Sequence, residues 1–81
     1  MNKTVSVEYF TILRDERGES SETVTTDAET YRDFYDKLKG KHGFSLDSER
    51  LMLIVNNSPR EWNESLSDGD KVVFIPPIAG G

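Results

Sequence analysis

Thr30-Tyr31-Arg32-Asp33-Phe34-Tyr35-Asp36-Lys37-Leu38-Lys39 is the stretch on which the fold turns. Tyr31, Phe34, Tyr35 and Leu38 recur at i, i+3, i+4 and i+7, which puts them on one face of a helix. Thr30 has the chemistry of an N-cap, with Asp33 as an acidic approximation to a capping box, and Glu29 and Asp33 suit the positive end of the dipole. The spacing predicts a helix over residues 30 to 39. Gly40 and Gly43 supply stop signals, and Lys37, Lys39 and Lys41 complement the negative helix end. The lysines read as helix-end electrostatics, with a partner-binding patch as the alternative.

On the N-terminal side, Val5-Ser6-Val7-Glu8-Tyr9-Phe10 alternates with period two, so Val5, Val7 and Tyr9 face inward. The charged stretch Arg14 to Ser21, holding Gly18, reads as a hairpin loop into a short strand around Thr23 to Thr26, with Val24 as its core residue. On the C-terminal side, Leu51-Met52-Leu53-Ile54-Val55-Asn56 is almost continuously apolar, as expected of a central strand covered on both sides. Asn57-Ser58-Pro59 supplies a turn. Arg60 to Leu66 is polar with Trp62 and Leu66 as anchors, and Asp68-Gly69-Asp70 turns the chain into the strand Lys71-Val72-Val73-Phe74-Ile75. Two strands on either side of one helix predict an α+β fold, with the main helix packed on one face of a mixed sheet of four to five strands.

The 81 residues make one small domain, which buries only about 60% of the surface its unfolded chain exposes. The chain has no cysteine, which removes disulfides, iron–sulfur clusters, thiolate zinc sites and a cysteine nucleophile. No apolar run approaches a membrane span, and Met1-Asn2-Lys3-Thr4 opens no signal-peptide pattern, so a cytoplasmic protein without a membrane partner is expected. A net charge of −5 disfavours nucleic acid and favours a basic partner surface.

The chain closes with Pro76-Pro77-Ile78-Ala79-Gly80-Gly81. At average glycine usage a Gly-Gly ending arises by chance in only about 0.5% of chains. Two residues without Cβ can enter a channel too narrow for any side chain. A frayed terminus explains the glycines but not the diproline, which favours an extended stalk of about 19 Å for six residues. Residues 1–75 are therefore expected to form the domain, and 76–81 an extended flexible tail whose terminal carboxylate is the chemical handle.

Internal catalytic machinery is missing from the pattern. Asp68 and Asp70 flank a glycine in a routine turn sequence and are too few for calcium, so no metal is expected. His42 is the only histidine, which reads as a surface residue or helix-end cation. If Tyr9 and Phe74 take the core face, Phe10 and Ile75 fall on the opposite side as an apolar patch at the base of the tail, unless a bulge turns them inward. Arg14 could supply a charged rim, and Trp62 reads as a core plug.

Together, Tyr9-Phe10 followed by Leu13-Arg14-Asp15, the helix start Thr30-Tyr31, Val55-Asn56-Asn57, Leu66-Ser67-Asp68-Gly69-Asp70 and Val72 to Gly81 resemble the small, sulfur-carrying subunits of molybdopterin synthase and related sulfur carriers. The resemblance covers essentially the whole chain and is most specific in the Pro-Pro-x-x-Gly-Gly ending. Tyr31, Phe34 and Tyr35 stand where such proteins usually carry smaller aliphatics, and Ile75 replaces a commonly aromatic position. The resemblance implies a ubiquitin-like β-grasp fold and a carrier that is not catalytic alone. A terminal carboxylate is ionised at neutral pH and a poor electrophile, so it needs activation. In the family, an ATP-dependent activating enzyme adenylates the last glycine, and a sulfur donor converts it to a thiocarboxylate. The loaded tail then enters the large synthase subunit, in an expected heterotetramer, where two sulfurs are installed on a cyclic pterin precursor to form the dithiolene. The resemblance makes Gly81 the reacting residue and Gly80, Pro76 and Pro77 the tail that passes into the partner. Phe10, Arg14, Phe74, Ile75 and Ile78 are the expected docking residues. No bound cofactor is implied, since the ATP is used by the activating enzyme. Carriage of sulfur for thiazole or another metabolite, and a ubiquitin-like protein modifier, are the alternatives.

Overall fold

The computed structural model describes residues 2–77. In chain order it contains β1 (Lys3–Tyr9), α1 (Thr11–Arg17), β2 (Ser21–Thr26), α2 (Tyr31–His42), a 3-10 turn (Ser48–Arg50), β3 (Met52–Val55), β4 (Ser58–Pro59) and β5 (Lys71–Ile75). The sheet order is β2-β1-β5-β3-β4. β1 and β5 run parallel, and the other neighbours are antiparallel. The last strand thus lies at the centre, between the first strand and the third.

α2 covers one face. Thr30 caps it as expected, its hydroxyl accepting from the Asp33 N–H at 3.1 Å. Tyr31, Phe34, Tyr35 and Leu38 are all buried, and so are Val5, Val7 and Tyr9 from β1. Phe74 is the hub of the core: its ring stands edge-on to Tyr35 at 5.0 Å and stacks on Trp62 at 5.9 Å. Such pairs add about 0.5–1.5 kcal/mol each beyond the area they bury. Leu66 is buried and Trp62 half-buried against the core, as their positions predicted, while Val24 is only half-buried.

Several expectations need correction. The stretch Arg14 to Ser21 is not a simple hairpin loop, because α1 occupies Thr11–Arg17 and buries only Leu13. Gly18, at φ 84, ends it with its N–H on the Arg14 carbonyl. α2 runs on to His42, through Gly40, and the left-handed cap is Gly43 at φ 72. β3 is not covered on both sides: Leu53 and Val55 are buried, but Met52 is exposed. The turn after it is centred on Asn56 and Asn57, at φ 52 and 71, which frees Ser58–Pro59 to form the edge strand β4. Asn tolerates this left-handed backbone, and an edge strand tolerates proline.

Nor is His42 a plain surface residue. Its Nε2 lies 3.1 Å from Glu22 Oε2, which also accepts from the Tyr9 hydroxyl at 2.5 Å. Arg17 donates to both Glu22 oxygens, at 3.0 and 3.1 Å, so one carboxylate ties α1, β1, β2 and α2 together. No helix among the described residues is long and apolar enough to cross a membrane.

Candidate functional site

β5 carries the chain out of the core, and its two ends are built differently. Its start is pinned by the Asp68-Gly69-Asp70 turn. The buried Asp70 carboxylate accepts from the Tyr31 hydroxyl at 2.8 Å, the Asn56 amide at 3.0 Å and the Ser67 N–H at 2.8 Å. Asp68 accepts from the Thr4 N–H at 2.7 Å, and Gly69, at φ 87, donates to the Thr4 carbonyl at 2.8 Å. Burial, followed by the bond to Asp70, pushes the Tyr31 hydroxyl up to about 12. The oxygens of Asp70 are therefore committed to holding strand and helix in register. Among the described residues, no three His, Cys, Asp or Glu side chains group as a metal would require.

The far end of β5 is bare on the face opposite α2. Tyr9 pairs with Phe74 in the parallel ladder, so the residues that follow them, Phe10 and Ile75, leave adjacent strands together. Ile75 also pairs with Met52 across the antiparallel ladder. Phe10, Ile75 and Met52 are exposed by 40%, 38% and 58%. They form an apolar row across three strands at the point where the tail departs. Single exposed apolar residues are ordinary, whereas a row of them marks a contact surface.

Phe10 and Ile75 thus stand outside, where alternation put them. Phe74 does not: it has no exposed surface, and its role is to position β5, not to dock. Arg14 lies on α1 with an exposed side chain. It lines a groove of about 520 Å³ with Thr11, Ile12, Asp15, Leu46, Pro76 and Pro77. Pro76 is buried and Pro77 exposed, so the chain is still seated on the body at the first proline of the expected stalk. Ile78, Gly80 and Gly81 lie outside the described residues.

Two surface residues escaped the sequence reading. Met52 was hidden in an unbroken apolar run, where no period shows which side chains face out. Ile12, 41% exposed, sits in the first turn of α1, ahead of the Arg14 to Ser21 stretch expected as a loop, and only its isolation near charged neighbours signals an outward position.

The ThiS family profile matches residues 7–81. The chain belongs to the ThiS family. It is 28% identical over 80 residues to the molybdopterin synthase sulfur carrier subunit of Escherichia coli K12, a match covering 95% of this chain and 99% of that one. Among solved structures, a putative molybdopterin converting factor subunit 1 from Pyrococcus furiosus superposes with a TM-score of 0.76 at 27% identity, covering 94% and 99% of the two chains. The H. volcanii small archaeal modifier protein 1 superposes with a TM-score of 0.79 at 21% identity, covering 94% and 99%, and shows the shared fold. The five-stranded mixed sheet with α2 across it is the ubiquitin-like β-grasp of this ThiS-family chain.

Proposed function

We propose that this ThiS-family chain is a sulfur carrier acting as the small subunit of a molybdopterin synthase, with Gly81 as the residue that carries sulfur. The observation that supports this most directly is the family match running unbroken to residue 81, through the Pro76-Pro77 and Gly80-Gly81 pairs. The apolar row of Phe10, Ile75 and Met52 gives a large subunit a seat beside the tail's root, and Arg14 gives it a charged rim. Docking there would aim the tail into the partner's active site.

The chemistry begins at an inert carboxylate. An activating enzyme joins one carboxylate oxygen to the α-phosphate of ATP and releases pyrophosphate. A persulfide donor attacks the resulting acyl-adenylate and AMP leaves. A thiol then reduces the acyl disulfide to the thiocarboxylate. In the synthase, that sulfur bonds to a carbon of the pterin precursor as an oxygen substituent leaves it, and water then cleaves the acyl carbon–sulfur bond, so the sulfur stays on the pterin and the terminus returns to a carboxylate. The carrier's part is to present the terminus, because every catalytic group in this sequence belongs to a partner.

The test is intact-mass spectrometry of the purified chain incubated with activating enzyme, ATP and a persulfide donor. A gain of about 16 Da is expected, one oxygen replaced by sulfur at the ionised terminus. The loaded chain should then support dithiolene formation with a molybdopterin synthase large subunit. No mass gain with an enzyme that loads the Escherichia coli carrier would refute sulfur carriage. A gain without dithiolene formation would point to another thio-metabolite.

A further inference from the structure

The sheet has a second feature that sulfur carriage does not use. β2 is an edge strand of six residues. The Tyr9 N–H donates to the Ser20 carbonyl at 2.9 Å, which sets the phase of the ladder. In an antiparallel pair, hydrogen-bonded positions alternate, so Glu22, Val24 and Thr26 bond to β1 while Ser21, Thr23 and Thr25 turn their N–H and C=O groups outward. Neither a proline nor a lysine stands in Ser21–Thr26, and the one charged residue of the edge, Glu22, is turned to the inner side and held by Arg17 and His42, which leaves the outward groups at Thr23 and Thr25 without a charged guard of their own.

Beside this edge, α2 leaves a groove of about 320 Å³ along the inner side of β2. Val24, Phe34 and Leu38 supply its apolar lining, Thr25 and Thr26 line it from β2, and its charged residues are Lys37, Lys41 and Asp27. Lys37 is held by Asp27 at 2.5 Å. Lys41 forms no ion pair among the described residues. A strand added to β2 would send every second side chain into the apolar floor, and Lys41 would meet whatever lies at the rim. Lys37 and Asp27 offset one another, so in a protein with a net charge of −5 Lys41 is left, among the described residues, as the unpaired positive charge beside a free hydrogen-bonding edge.

We propose that the free edge of β2 and the adjoining α2 groove dock an extended segment of a partner protein that alternates apolar residues and carries acidic residues at one end. The edge dictates an extended backbone, since only a strand matches its outward donors and acceptors. The floor dictates alternate apolar side chains, and Lys41 dictates the acid. A second copy of this chain fits less well. Antiparallel pairing of two β2 edges sets both α2 helices on the same face, so Lys37 and Lys41 of each copy would approach one another. This surface lies at the opposite edge of the sheet from β4, and its use is independent of sulfur transfer.

The test is a titration of the isotopically labelled chain with a blocked synthetic peptide of alternating valine and threonine ending in a run of glutamates, followed by NMR. Shifts are expected in residues 22 to 26 and 34 to 41, with slowed amide exchange at Thr23 and Thr25. Thr23→Pro removes one outward donor while leaving the ladder to β1 intact, and should weaken binding about tenfold. Lys41→Glu, on the helix surface, should weaken it about two- to fivefold and reverse the preference toward a peptide ending in lysines. The proposal fails if shifts cluster at Met52 and Ile75, if none appear at millimolar peptide, or if a folded Thr23→Pro and Lys41→Glu bind like the parent. It also fails if the peptide-free chain sediments as a dimer that Thr23→Pro dissociates.

Discussion

The two faces of this sheet do opposite work with neighbouring residues of the same strand. Toward α2, Val72 and Phe74 are wholly buried, and Phe74 gathers Tyr9, Phe34, Tyr35 and Trp62 around it. On the other face, Ile75 stands exposed beside Met52 with no element of the described chain across it. Polar side chains could have covered that side, as Ser6 and Glu8 do on β1. The contrast separates residues buried for folding from the exposed residues that the proposed docking would use, and the boundary falls between Phe74 and Ile75.

The largest effect that would sharpen this division is Phe74→Ala. Emptying the centre of the aromatic cluster should cost about 3–5 kcal/mol, read by urea denaturation. A loss below about 1 kcal/mol would mean the cluster does not depend on it.

The next effect comes from the polar margin of the covered face. Hydrogen bonds from Arg17, and then from Tyr9, hold the Glu22 carboxyl down at about 2 against burial, which opposes them. A carboxyl depressed in the folded state stabilises the fold above its ordinary range, and that stability is lost as pH falls through the folded value. Stability should therefore drop by about 2–3 kcal/mol between roughly pH 4.5 and pH 2 in a manner that Glu22→Gln abolishes. An unchanged acid limb in Glu22→Gln would show that other carboxylates govern it.

The smallest effect on folding belongs to the open face. Ile75→Glu should change stability by no more than about 0.5 kcal/mol. The same substitution should weaken binding to a molybdopterin synthase large subunit, the partner proposed for this chain, by about 2 kcal/mol, measured by calorimetry. If instead it unfolds the chain while leaving affinity intact in the folded fraction, the division between the faces is wrong.

How much of this was legible depended on whether the deciding contacts were local. α2 and its Thr30 cap were readable because a helix writes its buried face at a fixed period. β1 and β5 were readable by alternation and by their bounding turns. α1 was not, because a two-turn helix that buries only Leu13 leaves no period among its charged residues. The order of the strands was also invisible. Nothing in Leu51 to Asn56 reveals that β5 inserts between β1 and β3, so an apolar run that borders the centre looked like the centre itself, and Met52 went unnoticed. Phe74 failed as a docking residue for a different reason: alternation already placed it inward with Tyr9, and only the resemblance put it among the docking residues, which its complete burial rules out. Asp70 looked like mere turn chemistry, and its tie to Tyr31 crosses 39 positions of sequence.

The parallel pairing of β1 with β5 has a mechanical consequence. A strand at the rim of a sheet can be peeled away one bond at a time when its end is pulled. β5 is flanked on both sides, so traction applied through Pro76 along the strand axis loads two ladders at once, in shear, with the bonds lying across the line of force. If the terminus works as proposed, an anchorage of that kind would let it be gripped, threaded and withdrawn through repeated cycles without unravelling the body to which it is tied.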